Sequence, residues 1–231
     1  MRRPLRTLVV LVVVAAVLVV GGVAFYLVVL RDDPPDRLTL SPESEAPADA
    51  SGPASPEGQW VVRTGDDTVV GYRVHENLAG IEQEAAGRTH DVEGSLTVEG
   101  ATTITAAEVT AGLQSLESDE DRRDNAIRTR GLETNTFPEA TFRLTSPVEL
   151  PSEPKKGQDL SATVTGDLTL HGVTKSVELP VQARWDGGTI EVVGSLQIAM
   201  ADYDIDPPNV GGFVSVRDSG ELELQLTFVP A

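Results

Sequence analysis

Residues 162–185 read A-T-V-T-G-D-L-T-L-H-G-V-T-K-S-V-E-L-P-V-Q-A-R-W, and this stretch decides the fold. Ala162, Val164, Gly166, Leu168 and Leu170 alternate with Thr163, Thr165, Asp167, Thr169 and His171. After a break at residues 172–174 the alternation resumes, with Val177, Leu179, Val181, Ala183 and Trp185 set against Glu178, Pro180, Gln182 and Arg184. Successive side chains of a strand point to opposite faces, so a period of two predicts two antiparallel strands with one dry and one wet side. The dry side carries no charge.

The same period recurs outward from this pair. It is found at Val70, Tyr72 and Val74, at Leu96 and Val98, at Thr103, Thr105, Ala107, Val109, Ala111 and Leu113, and at Phe142 and Leu144. Towards the end it returns at Ile190, Val192, Gly194, Leu196, Ile198 and Met200, then at Leu222, Leu224, Leu226 and Phe228. The reading is an all-β, antiparallel β-barrel of about eight strands, whose interior is either just filled by side chains or just able to hold one small ligand. Aromatic residues make up only 4% of the chain, which leaves a wall of Val, Leu, Ile and Ala under-filled for that strand number. A slim packed core and a cavity both stay open at this point. One short helix is expected near residue 121. Ser118 lies three residues before Asp121 in a capping-box-like start, Arg128 and Arg130 suit the negative end of the dipole, and Gly131 offers a left-handed stop.

Three motifs carry a family resemblance. Gly166-Asp167-Leu168-Thr169-Leu170-His171-Gly172-Val173-Thr174-Lys175 resembles the G-x-L-T-x-H-G-V-T-K segment of the YceI-like family. Arg123-Asp124-Asn125, followed by Phe137-Pro138-Glu139-Ala140-Thr141-Phe142, is similar to its R-D-x and F-P-x-A-x-F motifs. Val92-Glu93-Gly94-Ser95-Leu96 resembles its V-x-G-x-F piece, with Leu96 in place of the aromatic. Ala126 and Ile127 replace the His and Leu that commonly follow R-D-x, and the paired Phe is missing around Leu132 and Glu133, so the roles of those side chains are not carried over. The resemblance implies a lipocalin-like barrel that holds a polyisoprenoid or similar long apolar chain.

Composition narrows the remaining classes. The absence of Cys excludes disulfides, thiol nucleophiles, Cys-based metal sites and a lipid-modified N-terminal Cys. All 36 acidic residues lie after Arg31, together with only 14 of the 18 basic ones. Such a surface repels phosphate backbones, so no nucleic-acid partner is expected. His75, His90 and His171 show no metal-ligand spacing, and no nucleophile elbow, phosphate loop or dinucleotide fingerprint occurs. No catalytic residue, metal or cofactor is therefore assigned. The acidic pairs Asp66/Asp67 and Asp204/Asp206 read as solvated loops, and residues 203–212 as a structured connection across one end of the barrel.

Residues 7–30 contain no charge and are long enough to cross a hydrocarbon core of roughly 30 Å. With Arg2, Arg3 and Arg6 before them and Asp32, Asp33 and Asp36 after, they read as a signal anchor. The expected location is the cell membrane, single-pass, with residues 1–6 cytoplasmic and the folded domain outside. A signal peptide cut after the small residues Gly22, Val23 and Ala24 is the alternative. Residues 31–59 lose the apolar pattern and carry six prolines from Pro34 to Pro56, predicting a disordered acidic linker with a reach of about 30 Å. The barrel domain is placed at 60–231.

The functional expectation is non-catalytic binding of a polyisoprenoid or other long-chain amphiphile. Tyr72, Phe142, Leu168, Leu170, Trp185 and Leu196 are the candidate cavity wall, and Arg123, Arg128 and His171 the candidate headgroup rim. The preferred reading of Arg122, Arg123 and Arg128 is nevertheless as surface or structural partners of Asp119, Asp121 and Asp124, and of His171 as a turn or rim residue. The competing expectation is a filled barrel whose acidic outer face binds a protein partner of unknown identity.

Overall fold

The computed structural model describes residues 34–42, 55–78, 80–210 and 214–231, with Val12 and Val17. The chain divides into two units at Pro34/Pro35, and the second unit holds the barrel. Its strands are β1 (Gly58–Val62), β2 (Val69–Leu78), β3 (Ile81–Thr89), β4 (Val92–Glu99), β5 (Thr103–Gly112), β6 (Glu117–Ser118) and β7 (Glu139–Leu144). Then follow β8 (Val148–Glu149), β9 (Asp159–Leu170), β10 (Val173–Trp185), β11 (Ile190–Ala199), β12 (Asn209–Val210) and β13 (Val214–Pro230). One helix, α1 (Asp121–Thr129), lies between β6 and β7.

Eight of these strands close a ring in the order β1-β4-β5-β7-β9-β10-β11-β13 and back to β1, every pairing antiparallel. The 17-residue β13 is long enough to pair with β1 through Phe228–Pro230 and with β2 through residues 214–225. β3 and β4 are likewise successive halves of one wall line, joined at His90 and Asp91, and β6 extends the line of β5. Closure leaves few unpaired edges, which is how an antiparallel sheet of this size avoids edge-to-edge association.

The opening stretch forms the hairpin β9–β10, with twelve consecutive residue pairs from Val173↔Leu170 to Arg184↔Asp159. Its turn is the pair His171-Gly172 (φ 51° and 75°) rather than the three-residue break at 172–174 that the alternation suggests. Two positive φ values are what a right-twisted two-residue hairpin requires, and His is among the few non-glycine residues that adopt one readily. Gly172 is needed on a second count, because a Cβ there would come within 2.7 Å of the Phe137 ring.

One strand frame differs from the sequence reading. Thr97 pairs with Ala106 but Val98 with Ile104, so β5 carries a bulge opposite that step. An extra residue shifts the alternation by one. Ile104, not Thr103 or Thr105, therefore joins Ala107 and Val109 on the inner face.

The helix also ends differently from expectation. Its N-cap is Glu120, without a side-chain capping bond, and Asp124 instead accepts bonds from the Ser118 amide (3.1 Å) and hydroxyl (2.6 Å). Gly131 is not left-handed; the chain turns at Glu133 (φ 47°), whose amide reaches back to Ile127 O at 2.9 Å.

The expected cell-membrane location is corrected. Among the described residues no helix is long and apolar enough to cross a membrane, and the single-pass anchor on which that location rested has no support. Residues 7–30 themselves lie outside the described residues, except for Val12 and Val17. Of the expected linker, residues 35–42 and 55–59 are described. Residues 35–41 lie across the outer wall, from β3 to β10. The carbonyls of Pro35, Asp36 and Ser41 accept bonds from Arg73 (2.7 Å), Arg88 and Arg184 (2.7 Å). Arg37 pairs with Glu84 (2.9 Å) and Glu221, and the amide and hydroxyl of Ser41 donate to Glu191.

Candidate functional site: a two-lobed apolar lumen

The inward faces of the ring strands enclose a lumen in two lobes. The first, of about 160 Å³, is walled by apolar residues alone, among them Leu96, Val164, Val181, Trp185, Ile190 and Leu226. The second, of about 110 Å³, is bounded by Tyr72, Leu113, Leu168, Leu170, Leu196 and Leu222 among others. A cavity of about 150 Å³ with such a lining stays dry and takes up apolar guests. Val109, Phe142, Leu179 and Leu224 border both lobes. Along β9 the wall runs from Leu160 to Leu170, which at the usual rise and tilt is roughly 25 Å of barrel axis. That length suits a chain better than a compact molecule.

Each predicted wall residue borders this space. Tyr72, Leu168, Leu170 and Leu196 face the second lobe, Trp185 the first, and Phe142 both. Two of these wall residues carry a buried donor without a hydrogen-bond partner among the described residues: the Trp185 indole N–H and the Tyr72 hydroxyl. An unpaired buried donor costs about 1–3 kcal/mol, so each is a place where an oxygen of a guest is favoured. Burial pushes the Tyr72 phenol up, and the nearby Arg123 charge offsets this only in part, so the hydroxyl keeps its proton.

The predicted rim is placed otherwise. Arg123 is buried to 9% side-chain exposure and donates to Glu76 on β2 at 2.8 and 3.1 Å, and to Asp119. Burial works against its charge, but the Glu76 bond and the two carboxylates outweigh that and raise its pKa, so the guanidinium stays fully charged. It clamps α1 to the barrel, with all three of its nitrogens engaged by Glu76, Asp119 and Ser118. His171 is similarly committed, with Nδ1 3.0 Å from Tyr203 O, Nε2 3.0 Å from Glu133 and its ring edge-on to Phe137 at 4.4 Å. Arg128 lies near the end of α1 with its Nε buried and unpartnered, and does not border the lumen. All three belong to the end of the barrel that the helix, the β9–β10 turn and the 3-10 turn Met200–Tyr203 close together, with Tyr203 and Ile205 buried beneath. Residues 203–209 thus cross one end of the barrel as expected.

The opposite end is bordered by apolar residues that no alternation pattern could reveal, Val148 of the two-residue β8 and, from the loops, Pro56, Ala101, Leu150 and Pro154. The Trp60 indole fixes the first by donating to Pro56 O at 2.8 Å. Lys156 lies over the Trp185 ring, its Nζ 5.6 Å from the centroid. No cluster of three or more metal-ligating side chains occurs among the described residues.

A closed eight-strand barrel, a capping helix and these interlocked motifs agree with one family model, that of the YceI-like domain, which matches residues 60–228. The chain belongs to the YceI-like family. Among relatives it is 33% identical over 110 residues to a UPF0312 protein of Vibrio parahaemolyticus, and 32% identical over 127 residues to one of Shewanella baltica. Those matches cover 45% and 52% of this chain and 54% and 63% of the relatives, so the chain spans about half to two thirds of their length. In solved structures the fold is similar to that of a polyisoprenoid binding domain from Saccharophagus degradans implicated in plant cell wall breakdown. The TM-score is 0.57 with 21% identity, over 74% of this chain and 98% of that one. It is also similar to BcnA of Burkholderia cenocepacia, with TM-score 0.51 and 18% identity over 69% and 95% of the two chains. The barrel fold is thereby shared by all three.

Proposed function

We propose that this YceI-like barrel binds a polyisoprenoid or a comparable long-chain amphiphile non-covalently inside its lumen. The observation that carries the reading is the first lobe, walled by apolar side chains alone. Each methylene transferred from water into such a site contributes about 0.8 kcal/mol, so a chain of isoprene units gains affinity with every unit enclosed. The orphan donors of Tyr72 and Trp185 add a place for a ligand oxygen. The Saccharophagus degradans polyisoprenoid binding domain, similar in fold, supports the same ligand class.

The process is passive: the wall shields the chain, and no step requires bond making. Extraction of the purified protein with organic solvent, followed by mass spectrometry, is expected to yield a long-chain lipid. The protein stripped of it should take up added prenol. Protein that extracts clean and refuses farnesol and longer prenols alike would end this reading and return the barrel to a role in protein interaction.

A further inference from the structure

The two lobes meet at a waist, and its composition is unusual for a barrel wall. Gly94, Gly166 and Gly194 lie on the inward-facing frames of β4, β9 and β11, at the level where Val109, Phe142, Leu179 and Leu224 border both lobes. Phe142 pairs with Val109 on one side and Leu168 on the other, and Gly166 faces the neighbouring Leu144. Its ring fills the space that a side chain at 166 would need: a Cβ there would lie 2.3 Å from Cζ of Phe142. At Gly194 a Cβ would meet Pro180 O at 3.0 Å and Val181 Cγ1 at 3.1 Å, so the adjoining strand β10 keeps that position small. The large ring on β7 thus crosses into room left by a glycine on β9, the small-against-large arrangement by which narrow barrels are filled.

Filling is local. Away from the waist the lumen opens into the two lobes, where the aliphatic wall is joined by Trp185 and Phe228 in the first and by Tyr72 in the second, while at the waist the one large ring is Phe142. A phenyl ring on a strand turns about two side-chain torsions, so it is a movable obstacle rather than a fixed wall.

Resting on the lipid-binding reading above, we infer that Phe142 determines the length of chain the lumen accepts. A short chain is housed in one lobe, and a long one reaches the second only past the Phe142 ring. Val109 is the cross-strand partner of Phe142, and Leu179 and Leu224 border the same waist; the chain length that fits depends on Phe142 itself.

The test uses the full chain, stripped of lipid, and a series of linear prenols from farnesol to solanesol, with Kd measured for each. Phe142→Ala is expected to raise the affinity ratio of solanesol to farnesol by about tenfold, the effect of one or two further enclosed methylenes. Phe142→Leu should give an intermediate ratio, and Phe142→Trp should lower it below that of the wild type. Val61→Ala, at an exposed position of β1 that borders neither lobe, should leave the ratio unchanged. A melting curve for each protein identifies any that fail to fold, and the graded Leu and Trp variants keep the test decisive if the Ala variant does. Wild-type binding of prenols with a ratio that none of the folded Phe142 variants alters would overturn the inference while leaving the lipid site intact. Failure of the wild type to bind any prenol overturns the lipid reading itself, and this inference with it.

Discussion

At the scale of single residues, the barrel end near α1 is held by a few committed polar groups. Arg123 and Glu76 are 9% and 7% exposed at their side chains, and each is the other's principal charge partner. Removing one member of a buried pair leaves the other charge stranded, typically at about 3–5 kcal/mol. Arg123→Ala should therefore lower thermal stability sharply, whereas Arg128→Ala, which removes no side-chain ion pair or hydrogen bond found among the described residues, should change it little. Differential scanning calorimetry distinguishes the two, and equal losses would show that Arg123 is not the clamp. Inside the lumen the sign of an enlargement is the informative quantity. Leu168→Trp and Leu196→Trp place a ring in the second lobe, where vacant volume exists. Lipid retention should fall with little loss of melting temperature; in a filled core the same change costs about 1–3 kcal/mol. Measuring both on one preparation decides which applies.

At the scale of elements, residues 35–41 form a polar strap across the outer wall, and its grip is electrostatic. Arg37 is about half exposed, and exposed pairs of this kind contribute about 0–1 kcal/mol and weaken with salt. Beneath the strap Arg73 and Glu223 are almost fully buried, 3.4 Å apart, with Arg88 joining the same carboxylate at 2.9 Å. Glu221 is desolvated, which by itself would raise its pKa, but the Arg37 hydrogen bond prevails and holds the carboxyl below its usual value. A depressed carboxylate contributes stability that is complete above the unfolded value of about 4.3 and is lost as pH falls through the lower, folded value. The strap should accordingly stay docked at neutral pH and low salt, and detach below about pH 4 or in molar salt. Hydrogen exchange at the Ser41 amide, bonded to Glu191 at 2.9 Å, reports it. Protection unchanged by both treatments would show a contact that is not ionic.

At the scale of the whole molecule, the lumen couples ligand to stability. A guest that binds only the folded barrel stabilises it by about 2.7 kcal/mol at a hundred times its Kd, so lipid-loaded protein should melt higher than stripped protein. Identical melting curves for the two would place any bound lipid outside the lumen. Much of this architecture is legible in the chain: inward residues from Val70 to Phe228 follow the period of two, because a barrel sorts its wall into a dry and a wet face. The alternation misleads only where backbone geometry breaks it, at the β5 bulge that turns Ile104 inward and at the two-residue turn His171-Gly172. The rim residues were legible as motifs but not as roles. Arg123 and His171 find their partners Glu76, Glu133 and Tyr203 on segments 32 to 47 residues away, and no local pattern encodes such a meeting. Composition alone left a filled and a hollow barrel equally open, since the same aliphatic wall serves both. The difference rests on how side chains from eight strand lines meet at the axis, with Phe142 lodged over Gly166 and space remaining on either side. Periodicity and composition are local properties of the chain and determined the class of fold; the volume at its centre is a residue of packing between distant strands, and only the tertiary structure decides it.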